Sequence, residues 1–328
     1  MRKELLEDLG EKELINRLKK FMPKNQASDD CALIKTKNDN LLINNDCLVE
    51  NIHFNDMIIC PQDLGWKAVV SNISDLLSSG SKKTIGITIS LILPPQTEWV
   101  WIEDLYKGIN KALKKYGGII LGGDCSKGNQ KTISITALGI QGELKLQRNA
   151  CSPGEIILTT GIHGLSKLGF MIQNKNNFDN DIFLDERLIK QSIEHFCRPQ
   201  IYTHFLTNLL KTRSNKKITR IGCTDSSDGL FQAVQDLAIA SNCKAIINYE
   251  NIPKDKDWPK GDKWDEYYFF GGEDYELVFS LPKKWAKKLS RLDKNITEIG
   301  IFIKGEPSIE FKDNKKNKLL NNTPFKHF

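Results

Sequence analysis

Long apolar runs and paired metal-binding cysteines are both missing from this sequence of 328 residues. The longest apolar stretch, IGITISLIL at 85–93, is far shorter than the ~20 residues that a bilayer requires, so we expect no transmembrane helix. The eight cysteines form no C-x-x-C pair, which favours reduced thiols over disulfides or a zinc site. The opening segment, MRKELLEDLGEKELINRL, lacks the apolar core of a signal peptide, so we expect a cytoplasmic protein.

Several common catalytic signatures are also absent. The chain contains no G-x-x-x-x-G-K-[ST] phosphate loop, no G-x-G-x-x-G turn, no H-E-x-x-H helix and no protein-kinase catalytic loop. Its net charge of +6 comes from lysines dispersed among acidic residues rather than from a basic patch. We therefore expect a protein that binds neither nucleic acid nor membrane.

The composition is that of a globular protein, and the length favours two domains. Strand-like and helix-like segments alternate along both halves, which indicates an α/β (α+β) fold. The turn-rich segment RNACSPGE at 148–155 separates the halves, so we predict domains at 1–148 and 149–328. The main predicted helices are at 63–80, 97–117, 227–241 and 283–292, and the predicted strands are at 31–36, 40–46, 84–93, 118–124, 132–142, 155–161, 217–225, 245–253 and 274–281.

Acidic residues recur where predicted strands begin or end. A single Asp at such a junction is more often a helix N-cap, as Asp228 could be, and a glycine pair is more often a turn. Repetition favours a shared site, because ligands of open α/β sheets bind at strand ends and Mg²⁺ is held by carboxylates together with substrate phosphates. The acidic points are Asp29 and Asp30, Asp46, Asp124, Asp225 and Asp228, and the GGED segment at 271–274.

The GGED segment raises a specific question. Adjacent glycines allow positive φ or close approach to a ligand, and the carboxylates of Glu273 and Asp274 would repel each other without a positive partner. A site holding several magnesium ions and phosphates would supply that partner. Asp75 is a related case, because its side of the 63–80 helix carries small polar residues where a solvent-exposed helix usually carries Lys or Glu. That face is expected to abut backbone or a ligand.

Taken in order, the motifs of the chain resemble those of the thiamine-monophosphate kinase family, within the aminoimidazole ribonucleotide synthetase superfamily. The resemblance implies ATP-dependent phosphorylation of thiamine monophosphate to thiamine diphosphate. It also implies an N-terminal sheet domain that forms a homodimer and a C-terminal α/β domain that completes the site. The motifs are LGEKELINRL, DDCALI, NNDCLVENIHF, GWKAVVSNISDLLSSG, GGDCSKG, QRNACSPGE, DSSDGL and GGEDYEL.

The same resemblance implies roles for individual residues. The family's ligands to several magnesium ions correspond to Asp30, Asn45, Asp46, Asp75, Asp124, Asp225 and Asp228. Its ATP contacts correspond to Tyr106, Gly123, Asp124, Arg148 and Ser227. Its contacts to thiamine monophosphate correspond to His53, Glu273 and Phe328. Asn45 stands where the family has a hydroxyl residue, and its amide oxygen is also a possible cation ligand.

The expected chemistry needs no general base, because the second pKa of a phosphate monoester is ~6 and the acceptor is mostly ionised near neutral pH. The obstacle is repulsion between anionic substrates, which divalent cations relieve. Two alternatives stay open at this point. One is another ATP-dependent enzyme of the superfamily, either amidine-forming or carbamoyl-dehydrating. The other is a non-catalytic module that binds nucleotide or divalent cations.

Overall fold

The computed structural model of the protein describes residues 6–23, 26–174, 184–313 and 317. They form two β-sheets with helices packed on them. The helices are α1 (Leu6–Leu18), α2 (Pro61–Ser78), α3 (Trp99–Tyr116), α4 (Leu165–Gln173), α5 (Glu186–Cys197), α6 (Phe205–Thr212), α7 (Leu230–Ala240), α8 (Asp262–Phe270) and α9 (Lys283–Leu292). The strands are β1 (Ala32–Lys35), β2 (Asn40–Val49), β3 (Ser81–Leu93), β4 (Ile120–Lys127), β5 (Thr132–Gln141), β6 (Lys145–Gln147), β7 (Glu155–Thr160), β8 (Arg220–Asp225), β9 (Lys244–Ile247), β10 (Leu277–Pro282), β11 (Ile296–Ile303) and β12 (Ser308–Phe311).

The first sheet has the strand order β1-β2-β5-β3-β4. Its neighbours are antiparallel except for β3 and β4, which run parallel because α3 connects them. Side chains alternate along β3: Ile89 and Leu91 are buried towards the helices, whereas Ser90 and Ile92 are exposed. Helices α2 and α3 therefore cover one face of this sheet, and the opposite face carries no helix among the described residues.

The second sheet has the order β12-β9-β11-β7-β10-β8-β6. It is antiparallel except at its two edges, where β12 pairs with β9 and β6 pairs with β8 in parallel. A first hydrophobic core joins the helix-covered face of the first sheet to one face of the second, through residues such as Leu277 and Phe279. A second core, which includes Ile157 and Val278, covers the other face of the second sheet. Both sheets therefore pack against α2.

Each strand and main helix predicted from the alternating pattern is present, except that the strand predicted at 245–253 ends at Ile247 and a 3-10 helix follows at Tyr249–Asn251. The predicted mixed α/β class is confirmed. Ser79 is the C-cap of α2, and Gly80 follows it with a φ of 86°. Asp228 is not an N-cap, because α7 begins after Gly229.

The first sheet ends at Gln141, whereas β6 pairs within the second sheet. The domain division at residue 148 stays a prediction. No helix in the described residues combines the length and apolarity that crossing a membrane requires.

Candidate active site

Helix α2 carries a buried polar stripe that faces away from its apolar contacts. The stripe consists of Lys67, Ser71, Ser74 and Ser78, whose spacing of four, three and four residues places them on one helix face. Three of these side chains bond a carboxylate from another part of the chain. Lys67 Nζ lies 2.7 Å from Glu273 Oε2, Ser74 Oγ donates to Asp225 Oδ2 at 2.5 Å, and Ser78 Oγ donates to Asp30 Oδ2. The Ser71 hydroxyl donates to the Ala68 carbonyl and lies beside Asp46.

The carboxylates reach this stripe from both halves of the protein. Asp30 precedes β1, Asp46 lies on β2, and Asp225 ends β8 of the second sheet. The alternation of β2 turns Asn44 and Asp46 towards α2, where Asn44 Nδ2 donates to Asp75 Oδ2 at 2.9 Å. Asp228, in the turn after β8, lies near enough to Asp46 to interact electrostatically. Tertiary structure thus collects Asp30, Asp46, Asp75, Asp225 and Asp228 into one group, which we call the aspartate cluster.

Burial and mutual repulsion perturb the aspartate cluster. Burial is the largest cause of the raised pKa of Asp46, and the charges of Asp228 and Asp30 add to it. Burial followed by the charges of Asp46, Asp225 and Asp30 raises the pKa of Asp75 well above its usual range. Burial and then Asp30 raise the pKa of Asp225 to about 7. Such a group favours the binding of cations, which relieve both penalties.

Arg148 is a cation that borders the aspartate cluster. Its Nη2 lies 2.5 Å from Asp30 Oδ1, its Nη1 lies 3.6 Å from Asp236 Oδ2, and its Nε donates to Thr224 Oγ1 at 3.2 Å. Ser227, another predicted ATP contact, donates through its hydroxyl to Asp225 Oδ1 at 2.8 Å. Both residues therefore lie against the carboxylates that the sequence assigns to metal.

The GGED segment is held by backbone contacts and by positive partners within the protein. A Cβ on Gly272 would lie 2.3 Å from the Ser227 carbonyl oxygen, so only glycine fits there. The positive φ values fall on Glu273 (66°) and Tyr275 (53°), not on the two glycines. Asp274 accepts hydrogen bonds from Gly164 N at 2.6 Å and Ser166 N at 2.9 Å, at the start of α4. Burial is the main reason that its pKa rises to about 7.

These contacts give the GGED segment positive partners within the protein, and the expectation that metal ions neutralise it stays a prediction. The partner of Glu273 is the Lys67 ammonium, and that of Asp274 is the N-terminus of a helix. Lys67 was missed because its charge interrupts an otherwise apolar stretch. Its spacing of four residues from Ser71 was the signal that could have identified it.

Tyr275 is a second residue that the sequence did not indicate. It is buried, and its pKa is raised well above its usual value by burial and then by the charges of Glu273, Asp46 and Asp225.

Two predicted metal ligands lie on the other face of the first sheet. Asn45 Nδ2 donates to Ser134 Oγ, to the Ile135 carbonyl and to Thr136 Oγ1, so its side chain points away from α2. Asp124, on β4, is in register with the exposed Ser90 of β3. Asn45 and Asp124 therefore share the face that carries no described helix, and β5 and β3 separate their strands.

Tyr106 lines an open cleft of about 640 Å³ between α3 and strands β3 and β4. Gly123 lies on β4 in register with Ile89, and a Cβ there would come within 1.9 Å of the Ile89 carbonyl oxygen. This glycine is therefore required by strand packing as well. The cleft is mostly apolar, as a site for a planar ring would be. Its lining residues are Leu91, Leu93, Trp99, Ile102, Glu103, Tyr106, Lys107, Asn110 and Cys125.

The predicted thiamine contacts are spread over separate parts of the chain. His53 is half-buried in the loop after β2, where its Nδ1 accepts a hydrogen bond from Val49 N at 3.1 Å. Glu273 bonds Lys67, as described above. The prediction for Phe328 lies outside the described residues. That these residues share one substrate site stays a prediction.

The aspartate cluster fits magnesium better than it fits a preformed metal cage. Within the described ranges, no three His, Cys, Asp or Glu side chains are close enough to hold a metal ion by themselves. The available donors are oxygens, and they lie beside a cationic Arg148 that suits phosphate. Mg²⁺ is commonly held by one or two carboxylates while substrate phosphates and water complete its shell. The residues therefore suit metal ions that arrive with a phosphorylated ligand.

Known proteins resemble this chain along its whole length. Residues 28–141 match the family described as AIR synthase related protein, N-terminal domain. Thiamine-monophosphate kinase of Prochlorococcus marinus is 42% identical over 99% of this chain and 98% of that protein. The corresponding enzyme of Synechococcus elongatus is 31% identical over 98% of each.

A solved structure agrees with these relatives. The structure described as AaThiL complexed with AMPPCP and TMP superposes with a TM-score of 0.85 at 28% identity and covers 100% of both chains. The fold, the motif order and the full-length relatives therefore lead to one assignment. This chain belongs to the thiamine-monophosphate kinase family.

Proposed function

We propose that this protein transfers the γ-phosphoryl group of ATP to thiamine monophosphate and forms ADP and thiamine diphosphate. The observation that carries the proposal is the aspartate cluster, which α2 holds between the two sheets beside Arg148. The family relatives bear the same activity in their names, and the AaThiL structure was solved with AMPPCP and TMP.

The reaction follows from the charges of the site. An oxygen of the thiamine monophosphate phosphate forms a new bond to the γ-phosphorus, and the bond from that phosphorus to the bridging oxygen of ADP breaks. The acceptor is already mostly ionised, so no side chain has to remove a proton. Positioning and charge neutralisation are the main requirements of phosphoryl transfer. Transfer is therefore direct, without a phosphorylated enzyme.

We assign the holding of magnesium to the aspartate cluster, with Asn45 and Asp124 contributing from the other face of the first sheet. Magnesium, when bound, would supply positive charge that neutralises the phosphates. Arg148, which pairs with Asp30, is placed to neutralise ATP phosphate charge. Ser74 and Ser78 orient two of these carboxylates, because their hydroxyls donate to Oδ2 of Asp225 and to Oδ2 of Asp30. Tyr106 and Gly123 are assigned to ATP.

We also propose that the protein is a homodimer that associates through the first sheet. The helix-free face of this sheet exposes Ile92 (39%), and the edge strand β4 exposes Leu121 (46%). Exposed edges and apolar faces favour pairing with another chain. Because Asn45 and Asp124 lie on that face, a second copy would enclose them.

The deciding experiment is product analysis with purified protein. ATP and thiamine monophosphate are incubated with and without Mg²⁺, beside a reaction without acceptor, and ADP and thiamine diphosphate are quantified. We expect equal, magnesium-dependent formation of both products. ADP formation that is independent of thiamine monophosphate, or no thiamine diphosphate at any magnesium concentration, would overturn the proposal and favour a different acceptor.

A further inference from the structure

Lys67 is a buried lysine, and packing of α2 by itself does not require a charged residue at this position. Its side chain is 2% exposed, and its ammonium lies 4.2 Å from the ring centroid of Phe196. A buried ammonium group is costly unless it is paired. Its ion-pair partner is Glu273, across 2.7 Å. The pair joins α2, which packs on the first sheet, to the loop that precedes β10 of the second sheet.

The backbone of Glu273 is restrained from two further sides. Its N–H donates to the Ser227 carbonyl at 2.7 Å, and its carbonyl accepts from Ser166 Oγ at 2.7 Å. Its φ of 66° lies in the left-handed region, which non-glycine residues adopt only when their surroundings hold them there. The Glu273 side chain nevertheless remains 34% exposed. Lys67 therefore fixes the direction of a carboxylate that solvent or a ligand still reaches.

We propose that Lys67 is a positioning residue for the acceptor substrate, because its ammonium fixes the Glu273 carboxylate in the orientation that receives thiamine monophosphate. This inference rests on the proposed function, in which Glu273 contacts that substrate. Lys67 itself acts through Glu273 and does not touch the reacting atoms.

The geometry of α2 couples this role to the aspartate cluster. Ser74 follows Lys67 by two helical turns and donates to Asp225, and Ser78 follows it by three turns and donates to Asp30. One rigid helix face thus sets the spacing between the acceptor carboxylate and the carboxylates assigned to metal. A change at Lys67 should disturb the acceptor and leave the nucleotide side of the site in place.

The test compares wild type with Lys67→Met, which keeps the length of the side chain but removes its charge, and Lys67→Arg, which keeps the charge. Lys244→Met is the matched control, because it breaks a lysine pair with Glu310 between β9 and β12. Each protein is measured for equilibrium binding of thiamine monophosphate without ATP, and for the KM of both substrates.

We expect Lys67→Met to raise the Kd and KM for thiamine monophosphate roughly 10- to 100-fold, as misplacement of a binding group does, and to change the KM for ATP less than about twofold. Lys67→Arg should recover most of the loss, and Lys244→Met should match wild type. Equal effects on both substrates, or an unchanged Kd for thiamine monophosphate, would overturn the inference. If Lys67→Met does not fold, Lys67→Gln replaces it with the same expectations.

The design separates the two proposals. Wild type that binds thiamine monophosphate without phosphorylating it contradicts the proposed function, and the Kd values of the Lys67 variants still decide the inference. Wild type that phosphorylates the substrate while Lys67→Met keeps a normal Kd contradicts the inference alone. Wild type that does not bind thiamine monophosphate contradicts both.

Discussion

Arg148 and Asp30 form a salt bridge in which Nη2 and Oδ1 are 2.5 Å apart, and the Asp30 side chain is 3% exposed. We assign Arg148 to ATP and Asp30 to metal. The protein therefore pairs two side chains that are proposed to contact different ligands. Arg148 thereby balances part of the charge of the aspartate cluster before any ligand arrives.

Replacing Arg148 by Met should weaken the use of ATP more than the use of thiamine monophosphate. The variant loses a cation that neutralises phosphate charge, so we expect kcat/KM for ATP to fall roughly 10²-fold. Steady-state kinetics with each substrate varied in turn measures the effect. Arg187→Met is the control, since Arg187 pairs with Asp255 outside the cluster. A loss confined to thiamine monophosphate would contradict the assignment of Arg148.

Replacing Asp75 by Asn should stabilise the metal-free protein. The pKa of Asp75 is raised well above its usual range by burial and by Asp46, Asp225 and Asp30, so its neutral isostere removes repulsion. We expect about 1–2 kcal/mol of added stability in EDTA, seen as a Tm several degrees higher.

The same variant should need more magnesium for activity, and kcat should recover at high metal concentration. Asp104→Asn, at a partly exposed position of α3, serves as the control for both measurements. A variant whose kcat stays low at saturating Mg²⁺ would show that Asp75 does more than hold metal.

Asp274 should make the stability of the protein fall as the pH rises. Burial raises its folded-state pKa to about 7, whereas an unfolded Asp titrates near ~3.9. Between these values the folded state binds more protons than the unfolded state. The contribution is therefore complete below about pH 4 and is lost as the pH approaches 7.

Denaturant unfolding at pH 5 and pH 7.5 in EDTA tests this dependence. We expect Asp274→Asn to reduce the loss of unfolding free energy between the two pH values by on the order of 2 kcal/mol. Asp104→Asn should behave as wild type does. The assignment fails if wild type and Asp274→Asn lose the same stability over this interval.

Substitution of Lys67 and substitution of Glu273 should lower the free energy of unfolding by different amounts. Glu273→Gln leaves an ammonium that is 2% exposed without a counter-charge, which costs about 3–5 kcal/mol. Lys67→Met leaves a carboxylate that is 34% exposed and remains hydrated, so we expect a smaller loss, about 1–2 kcal/mol.

Denaturant unfolding of both single variants and of the double variant measures this asymmetry. The double variant should be more stable than Glu273→Gln, because it contains no unpaired buried charge. A greater loss of stability in Lys67→Met than in Glu273→Gln would contradict the argument that Lys67 is the more deeply buried charge of the pair.

Leu121→Lys should weaken the proposed dimer. The substitution places a charge on the exposed edge strand β4, where like charges of two copies would meet. Light scattering after size exclusion should show a dimer for wild type and a shift towards monomer for the variant. Lys283→Glu, at the start of α9, controls for a change of charge. A monomeric wild type would contradict the proposal directly.

Much of the fold was predictable because its signals are local. The alternation of β2, the apolar side of α2 and the turn around Gly80 each follow from a few neighbouring residues. The grouping of aspartates at strand ends was predictable for the same reason, since sheets bring such positions together. The separation of Asn45 from Asp46 also follows from strand alternation, although motif matching had placed both in one set.

The sequence by itself determined the elements, the family motifs and the acidic character of the site. Only the tertiary structure decided which lysine or hydroxyl pairs with which carboxylate. Lys67 and Glu273 are 206 residues apart, and Ser74 and Asp225 are 151 apart, so no local pattern connects them. Their pairing depends on how α2 packs against the second sheet, because a buried charge accepts whichever opposite charge or hydroxyl the fold brings within hydrogen-bonding distance.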